Sequence, residues 1–225
     1  MRKVLLIGEV GHNWVPDFHS ALELIKIVRN EGWDIAKFQA YDTDKIKQPG
    51  DTNYDELKRA QLTYQQLEQL RDKCAEVGVE FLASAFDLER FRWLEKLGVR
   101  RHKVASRSIH DDDLVKSMVD TGKQVIVSTA NWQYALPNWN VDFLYCRTRR
   151  QILRDGFAGL PIFGSGSYAG FSDHTVGNYW VKKAIEQGAT IIEKHITFDK
   201  NGPGWDQPSS ADPNDMRDIA KFCGR

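Results

Sequence analysis

Residues 124–130 read Gln124-Val125-Ile126-Val127-Ser128-Thr129-Ala130, a β-rich run that is apolar at three successive positions. Such a strand is buried on both faces, as in a parallel sheet covered by helices. Working outward, runs of the same kind recur at 3–10, 34–40, 79–86, 102–108, 141–146, 168–172 and 190–196, the last containing Ile191-Ile192.

The intervening segments carry helix punctuation. Thr63 and Gln66 have capping-box spacing, Leu67, Leu70, Cys74 and Val77 form one stripe, and Gly78 follows as a stop. Asp87 precedes a stripe of Phe91, Leu94 and Leu97 that halts at Gly98, and Asp111 opens a helix ending near Gly122. Trp180, Val181, Ala184 and Ile185 make a further apolar face before Gly188. Eight strands alternating with helices through right-handed crossovers predict an α/β fold, the closed (β/α)8 TIM barrel. A flavodoxin-like open sheet would stop at about five strands. Residues 131–140 contain a proline and are too few for a normal barrel helix, so the fifth helix is expected to be shortened; residues 156–170, rich in Gly and Ser, read as loop. With no repeat or linker, one domain spanning 1–225 is expected.

Composition narrows the function. The net charge is zero, which removes the basic excess expected of a nucleic-acid binder. Cys74, Cys146 and Cys223 are odd in number and form no C-x-x-C pair, which argues against a zinc ribbon or disulfide framework and suits a reducing cytoplasm. The N-terminal apolar run is too short for a signal peptide, and no run approaches a membrane span. A cytoplasmic protein with no membrane partner is the expectation.

In a barrel, chemistry gathers at the C-terminal ends of the strands. Those ends offer Glu9, Lys37, Gln39, Ser84, Lys103, Ser106, Ser128, Ser172, Asp173, His174, Glu193, Lys194 and His195. Singly, each has an ordinary explanation: a solvated lysine, a structural histidine, a tolerated serine. Together they do not. Lys37 and Lys103 lie inside apolar strands, where burial of an ammonium is costly unless an anion compensates. Lysine point charges and serine donors at one mouth suit a phosphate or carboxylate ligand. His174 and His195, on adjacent strand ends, offer two imidazoles to an exchangeable divalent metal with positions left for water and substrate; Mn2+ leads, with Mg2+ or Co2+ as alternatives.

The sequence at this point resembles the N-terminal barrel of the sialic acid synthase (N-acetylneuraminate synthase) family. The matching segments run in order: Gly8-Glu9-Val10-Gly11-His12-Asn13, Lys37-Phe38-Gln39, Phe81-Leu82-Ala83-Ser84-Ala85-Phe86, Lys103-Val104-Ala105-Ser106 and Val127-Ser128-Thr129. They continue with Gly170-Phe171-Ser172-Asp173-His174-Thr175, Glu193-Lys194-His195-Ile196-Thr197 and Gly202-Pro203-Gly204-Trp205-Asp206 with Ser209. The resemblance implies condensation of phosphoenolpyruvate with an N-acyl amino sugar such as N-acetylmannosamine, giving a 2-keto sugar acid and phosphate. It further implies that Lys37, Ser84, Lys103, Ser106, Ser128 and Ser172 hold phosphoenolpyruvate and that Gln39 bridges toward the sugar. His174 and His195 would hold the metal, Asp206 would contact it or the sugar hydroxyls, and Glu9 would be the acid or base. Glu9, Gln39 and Lys103 are thus the expected catalytic set, and a homodimer the expected assembly.

The pattern breaks on the sugar side. The family motif G-S-G-E becomes Ala105-Ser106-Arg107-Ser108, so Ser108 replaces a carboxylate. After the sixth strand stands Cys146-Arg147-Thr148-Arg149-Arg150, which either binds an acidic substrate or lies solvated. The chain is read as lacking the C-terminal antifreeze-like domain. Two alternatives follow: a catalytically altered relative that binds an anionic ligand or partner protein, and an aldolase or isomerase using Lys37 or Lys103 as a Schiff base.

Overall fold

In the computed structural model, which describes residues 4–130, 140–164 and 167–225, the apolar runs become strands. They are β1 (Leu5–Glu9), β2 (Ile35–Ala40), β3 (Glu80–Ala85), β4 (Arg101–Val104), β5 (Gln124–Thr129), β6 (Val141–Cys146), β7 (Gly170–Asp173) and β8 (Ile191–His195). Each pairs in parallel with the next, and β8 returns to β1, closing the barrel. The connecting helices are α1 (Phe18–Asn30), α2 (Thr43–Ile46), α3 (Tyr54–Ala60), α4 (Tyr64–Val77), α5 (Leu88–Lys96), α6 (Asp112–Asp120), α7 (Arg149–Asp155) and α8 (Tyr179–Glu186), with α9 (Pro213–Phe222) last. The expected shortened fifth helix, within 131–140, falls on a segment outside the described residues but for Asn140.

Local chemistry sets the helix ends. Thr63 accepts from the Gln66 backbone while the Gln66 side chain accepts from Thr63, a complete capping box on α4, and Gly78 closes it in the left-handed region at φ 77°. Leu67, Leu70 and Cys74 of that helix are fully buried, while Val77 is partly buried. Because the exposed cap satisfies an otherwise orphan N–H, Thr63→Ala is expected to cost about 1 kcal/mol. Chemical denaturation should show this as a lower midpoint with an unchanged slope. Asp87 and Asp111 cap α5 and α6 by accepting from Arg90 N and Leu114 N.

Strand alternation determines what fills the barrel. Ile7, Ile35, Leu82, Ile126, Leu144 and Ile191 form one buried cluster. It is distinct from the cluster to which Leu6, Phe38, Val127, Phe171 and Ile192 belong with the helices. The smaller cluster plugs the interior, each side chain contributing about 1.5–3 kcal/mol by burial. Two residues further along each strand, about 6.6 Å, the same face carries Glu9, Lys37, Ser84, Ser128, Cys146 and Glu193, all buried. Apolar plug and polar floor are successive layers of one pleat.

Two differences from the sequence expectation bear on the site. The fourth strand stops at Val104, and residues Ser106–Ser108 form a 3-10 turn, which carries Ser106 and Arg107 across the barrel mouth. The seventh strand begins at Gly170, where a β-carbon would lie 1.9 Å from the Ile191 carbonyl oxygen. Only glycine lets β7 and β8 approach this closely.

Candidate active site

The polar floor is a set of ion pairs. Lys37 Nζ lies 2.7 Å from Glu9 Oε2 and 3.6 Å from Glu193 Oε2, and donates to Ser84 Oγ at 3.3 Å. Lys103 Nζ donates to Ser128 Oγ at 2.7 Å and to the Val104 carbonyl at 3.0 Å, with Glu193 Oε2 at 3.9 Å. Ser172 Oγ donates to Glu193 Oε1 at 2.9 Å, and Gln39 Nε2 to Glu9 Oε1 at 2.7 Å. The anion that two buried lysines require is therefore built into the protein. Glu193 is its centre, a residue that the sequence places at a strand end without assigning it a role. The signal was available: Ile191, Glu193 and His195 share one strand face, so Glu193 had to point inward.

These contacts separate the two lysines. Burial lowers the Lys37 pKa, but Glu193 and Glu9 outweigh it and the net shift is upward. Lys103 is shifted downward, because burial exceeds the pull of Glu193 and Lys37 repels it. Burial alone would raise the Glu193 pKa; Lys103, Lys37 and the Ser172 hydroxyl reverse that and hold the carboxyl well below its usual range.

Above the floor, His174, His195 and Asp206 bring one ligand atom each within 4.8 Å of one another. Pairing of Asp173 with Lys194 across β7 and β8 places the next residue of each strand, His174 and His195, side by side; their ring centroids are 5.2 Å apart. Asp206 arrives from the loop after β8, with Oδ2 3.9 Å from His195 Nε2. The sequence resemblance left Asp206 open between the metal and the sugar hydroxyls, and its neighbours in the structure are the histidines. Burial, reinforced by His195, lowers the His174 pKa to about 4, so its imidazole is neutral near pH 7. Burial alone would raise the Asp206 pKa, but His195, His174 and His12 pull it down. The buried Nδ1 atoms of His174 and His195 have no hydrogen-bond partner among the described residues. A neutral His174 imidazole, the Asp206 carboxylate and two orphaned ring nitrogens suit a divalent ion. Gly11 makes room for this group: with φ 53°, it passes so near that a β-carbon would lie 2.9 Å from His195 Cε1.

Floor and histidine cluster open into one cavity, lined also by Ser106, His12, Tyr41, Arg107, Arg149, Arg150 and Trp205. Every residue singled out from the sequence as catalytic, substrate-binding or metal-ligating thus borders a single space. Asp173 and Lys194, also at strand ends, face the other way and pair with each other, both completely buried. Ser108, standing where the family motif has glutamate, is buried and lies outside the cavity lining. The sequence missed His12 and Tyr41, whose Oη and Nε2 are 3.2 Å apart, because they lie in loops beyond strand periodicity.

The model of the NeuB family matches residues 24–153 and 162–223. The chain belongs to the NeuB family. Among its relatives, the N,N'-diacetyllegionaminic acid synthase of Campylobacter jejuni is 28% identical over 256 residues, covering 96% of this chain and 74% of that protein. The Methanocaldococcus jannaschii protein MJ1065 is 27% identical, with 95% and 68% covered. Among solved structures, the N-acetylneuraminic acid synthetase of Leptospira borgpetersenii superposes with a TM-score of 0.82 at 24% identity, covering 99% of this chain and 83% of that one. This NeuB-family barrel is thus related to sialic and legionaminic acid synthases. No helix among its described residues is long and apolar enough to cross a membrane.

Proposed function

We propose that this NeuB-family chain condenses phosphoenolpyruvate with the open-chain aldehyde of an N-acyl amino sugar, N-acetylmannosamine-like, with help from a divalent metal. The observation that carries this reading is the meeting in one cavity of a lysine–serine floor and a His–His–Asp group. One suits an anion, the other a carbonyl-polarising ion.

In this reading Lys37 and Lys103 donate to the phosphate and carboxylate alongside Glu9 and Glu193, which already pair with them, while Ser84, Ser106, Ser128 and Ser172 direct hydrogen bonds to the ligand's oxygens. His174, His195 and Asp206 would hold the ion, Mn2+ first and Mg2+ or Co2+ next, which when bound supplies Lewis-acid polarisation of the aldehyde oxygen. C3 of phosphoenolpyruvate forms a bond to the aldehyde carbon, water adds to C2, and the C–O bond to phosphate breaks, yielding a 2-keto sugar acid and inorganic phosphate. Glu9, held between Lys37 and Gln39, is placed to take the proton from that water, and Gln39 to orient the sugar. Fixing two substrates and a water in a preformed polar site supplies much of the acceleration.

Incubation of the protein with Mn2+, phosphoenolpyruvate and a panel of N-acyl amino sugars should release inorganic phosphate in step with a 2-keto acid. Tight binding of phosphoenolpyruvate without phosphate release from any acceptor would overturn the catalytic reading in favour of an anion-binding relative.

A further inference from the structure

His12 and Tyr41 border the cavity but have no part in the chemistry above. Tyr41, just past the end of β2, is buried, and its hydroxyl has two neighbours. It donates to the Leu57 carbonyl of α3 at 3.0 Å, and His12 Nε2 lies 3.2 Å away. A phenol has one proton, and a carbonyl can only accept. Only one arrangement of hydrogens makes both bonds: Tyr41 donates to Leu57, and His12 Nε2–H donates to Tyr41. Burial, reinforced by the Glu56 charge, pushes the Tyr41 pKa up, so the phenol keeps that proton.

Burial also lowers the His12 pKa against the pull of Asp206, so its imidazole is neutral near pH 7. A neutral ring with its proton on Nε2 presents a bare lone pair at Nδ1. That nitrogen has no hydrogen-bond partner among the described residues, and it is not sealed off as the Nδ1 atoms of His174 and His195 are. It is an acceptor held ready for a donor on a ligand. The surroundings select the donor. Asp206, His195 and Glu9, which the synthase reading assigns to the aldehyde and the water, all act electrostatically on His12, so the ring stands beside the reacting carbon. Tyr41 packs edge-on against Phe86 at 5.7 Å and bonds Leu57; these two, with Ile46, give this side of the cavity an apolar wall.

We infer that His12 Nδ1 accepts a hydrogen bond from the amide N–H of the acceptor's N-acyl group, with Tyr41 as the positioning residue that fixes the ring's tautomer. The inference rests on the synthase reading above and names a residue by which the site recognises the carbon next to the aldehyde. An N-acyl substituent there has a donor on nitrogen and an apolar alkyl end. It is matched by a lone pair and by the wall of Leu57, Ile46 and Phe86. A hydroxyl at the same carbon would meet the lone pair alone and leave the wall uncovered.

The test uses N-acetylmannosamine, mannose and 2-deoxyglucose, which carry an amide, a hydroxyl and hydrogen at C2, with phosphoenolpyruvate and Mn2+. N-acetylmannosamine should lead 2-deoxyglucose in kcat/KM, and His12→Leu should shrink that lead by about three- to tenfold, through the KM of the sugar. His12→Asn, which keeps an acceptor oxygen near the Nδ1 position, should restore part of it. Tyr41→Phe should act in the same direction, and proton–nitrogen NMR should show His12 moving from the Nε2–H form to a mixture of tautomers. A mixture already present in the parent overturns the assignment, as does a His12 variant that lowers the use of all three sugars equally. Mannose as sensitive to His12→Leu as N-acetylmannosamine overturns the choice of the amide. If no sugar releases phosphate, the synthase reading fails, and calorimetric titration of the same sugars decides His12 separately. Tighter binding of N-acetylmannosamine, lost in His12→Leu, upholds it; equal binding overturns it.

Discussion

His195→Ala is expected to lower the rate of phosphate release by about three orders of magnitude, because metal polarisation of a carbonyl is worth several kcal/mol and each ~1.4 kcal/mol is tenfold. The side chain is the hub of its cluster: its ring is 5.2 Å from that of His174, its Nε2 3.9 Å from Asp206, and its ring is close-packed on Gly11. Removing it leaves a histidine and a carboxylate, too few to hold an exchangeable ion firmly. The loss should therefore appear first as lost Mn2+ binding in calorimetry, before any effect on phosphoenolpyruvate. The floor proposed for that substrate consists of Lys37, Lys103 and the serines, so its affinity in the absence of metal should change little. An enzyme that kept stoichiometric Mn2+ and full turnover without His195 would dissolve the assignment. His174→Ala should behave alike, since each ring brings one ligand atom to the same cluster.

Most of this site follows from a single regularity. Once 124–130 is read as a strand buried on both faces, alternation fixes which residues look into the barrel, and parallel register aligns the strands. Lys37, Ser84, Lys103, Ser128 and Ser172 needed nothing more, and neither did the adjacency of His174 and His195. Sequence is less informative where a partner comes from a distant place. The buried lysines announced that an anion was required, but not that Glu9 and Glu193 would supply it. Asp206 joins the histidines from a loop that passes Gly204, at φ 137°, and leads into a short 3-10 turn, Gln207–Ser209, too short to leave a periodic signal. Arg147, Arg149 and Arg150 look alike in sequence; only the position of Asp155 separates the neutralised arginine from the two that face the cavity.

The same alternation that sends His174 and His195 inward sends Asp173 and Lys194 outward, and this carries the second large effect. Lys194 Nζ is 2.5 Å from Asp173 Oδ2, both side chains are completely buried, and Lys194 also donates to the Thr175 carbonyl at 2.8 Å. Asp173 Oδ1 in turn accepts from Thr175 N and Thr175 Oγ1 at 2.9 and 2.7 Å. The pair thus fastens β7 to β8 and also holds the backbone on either side of His174. Lys194→Met would leave an uncompensated buried carboxylate, for which about 3–5 kcal/mol of stability is lost. For a chain of this size, the melting temperature should fall by on the order of 10 °C. Adding Asp173→Asn removes the stranded charge while keeping an acceptor for Thr175, so the double variant should recover part of the loss. A purely structural clamp would stop there. Because His174 is held between Asp173 and Thr175, the single variant should also bind Mn2+ more weakly at temperatures where it remains folded. Outer-shell partners of metal ligands typically govern affinity over about 10–100-fold. A variant melting within about 2 °C of the parent would show that the pair contributes little to the fold. Unchanged Mn2+ affinity in a destabilised variant would confine its role to joining the strands.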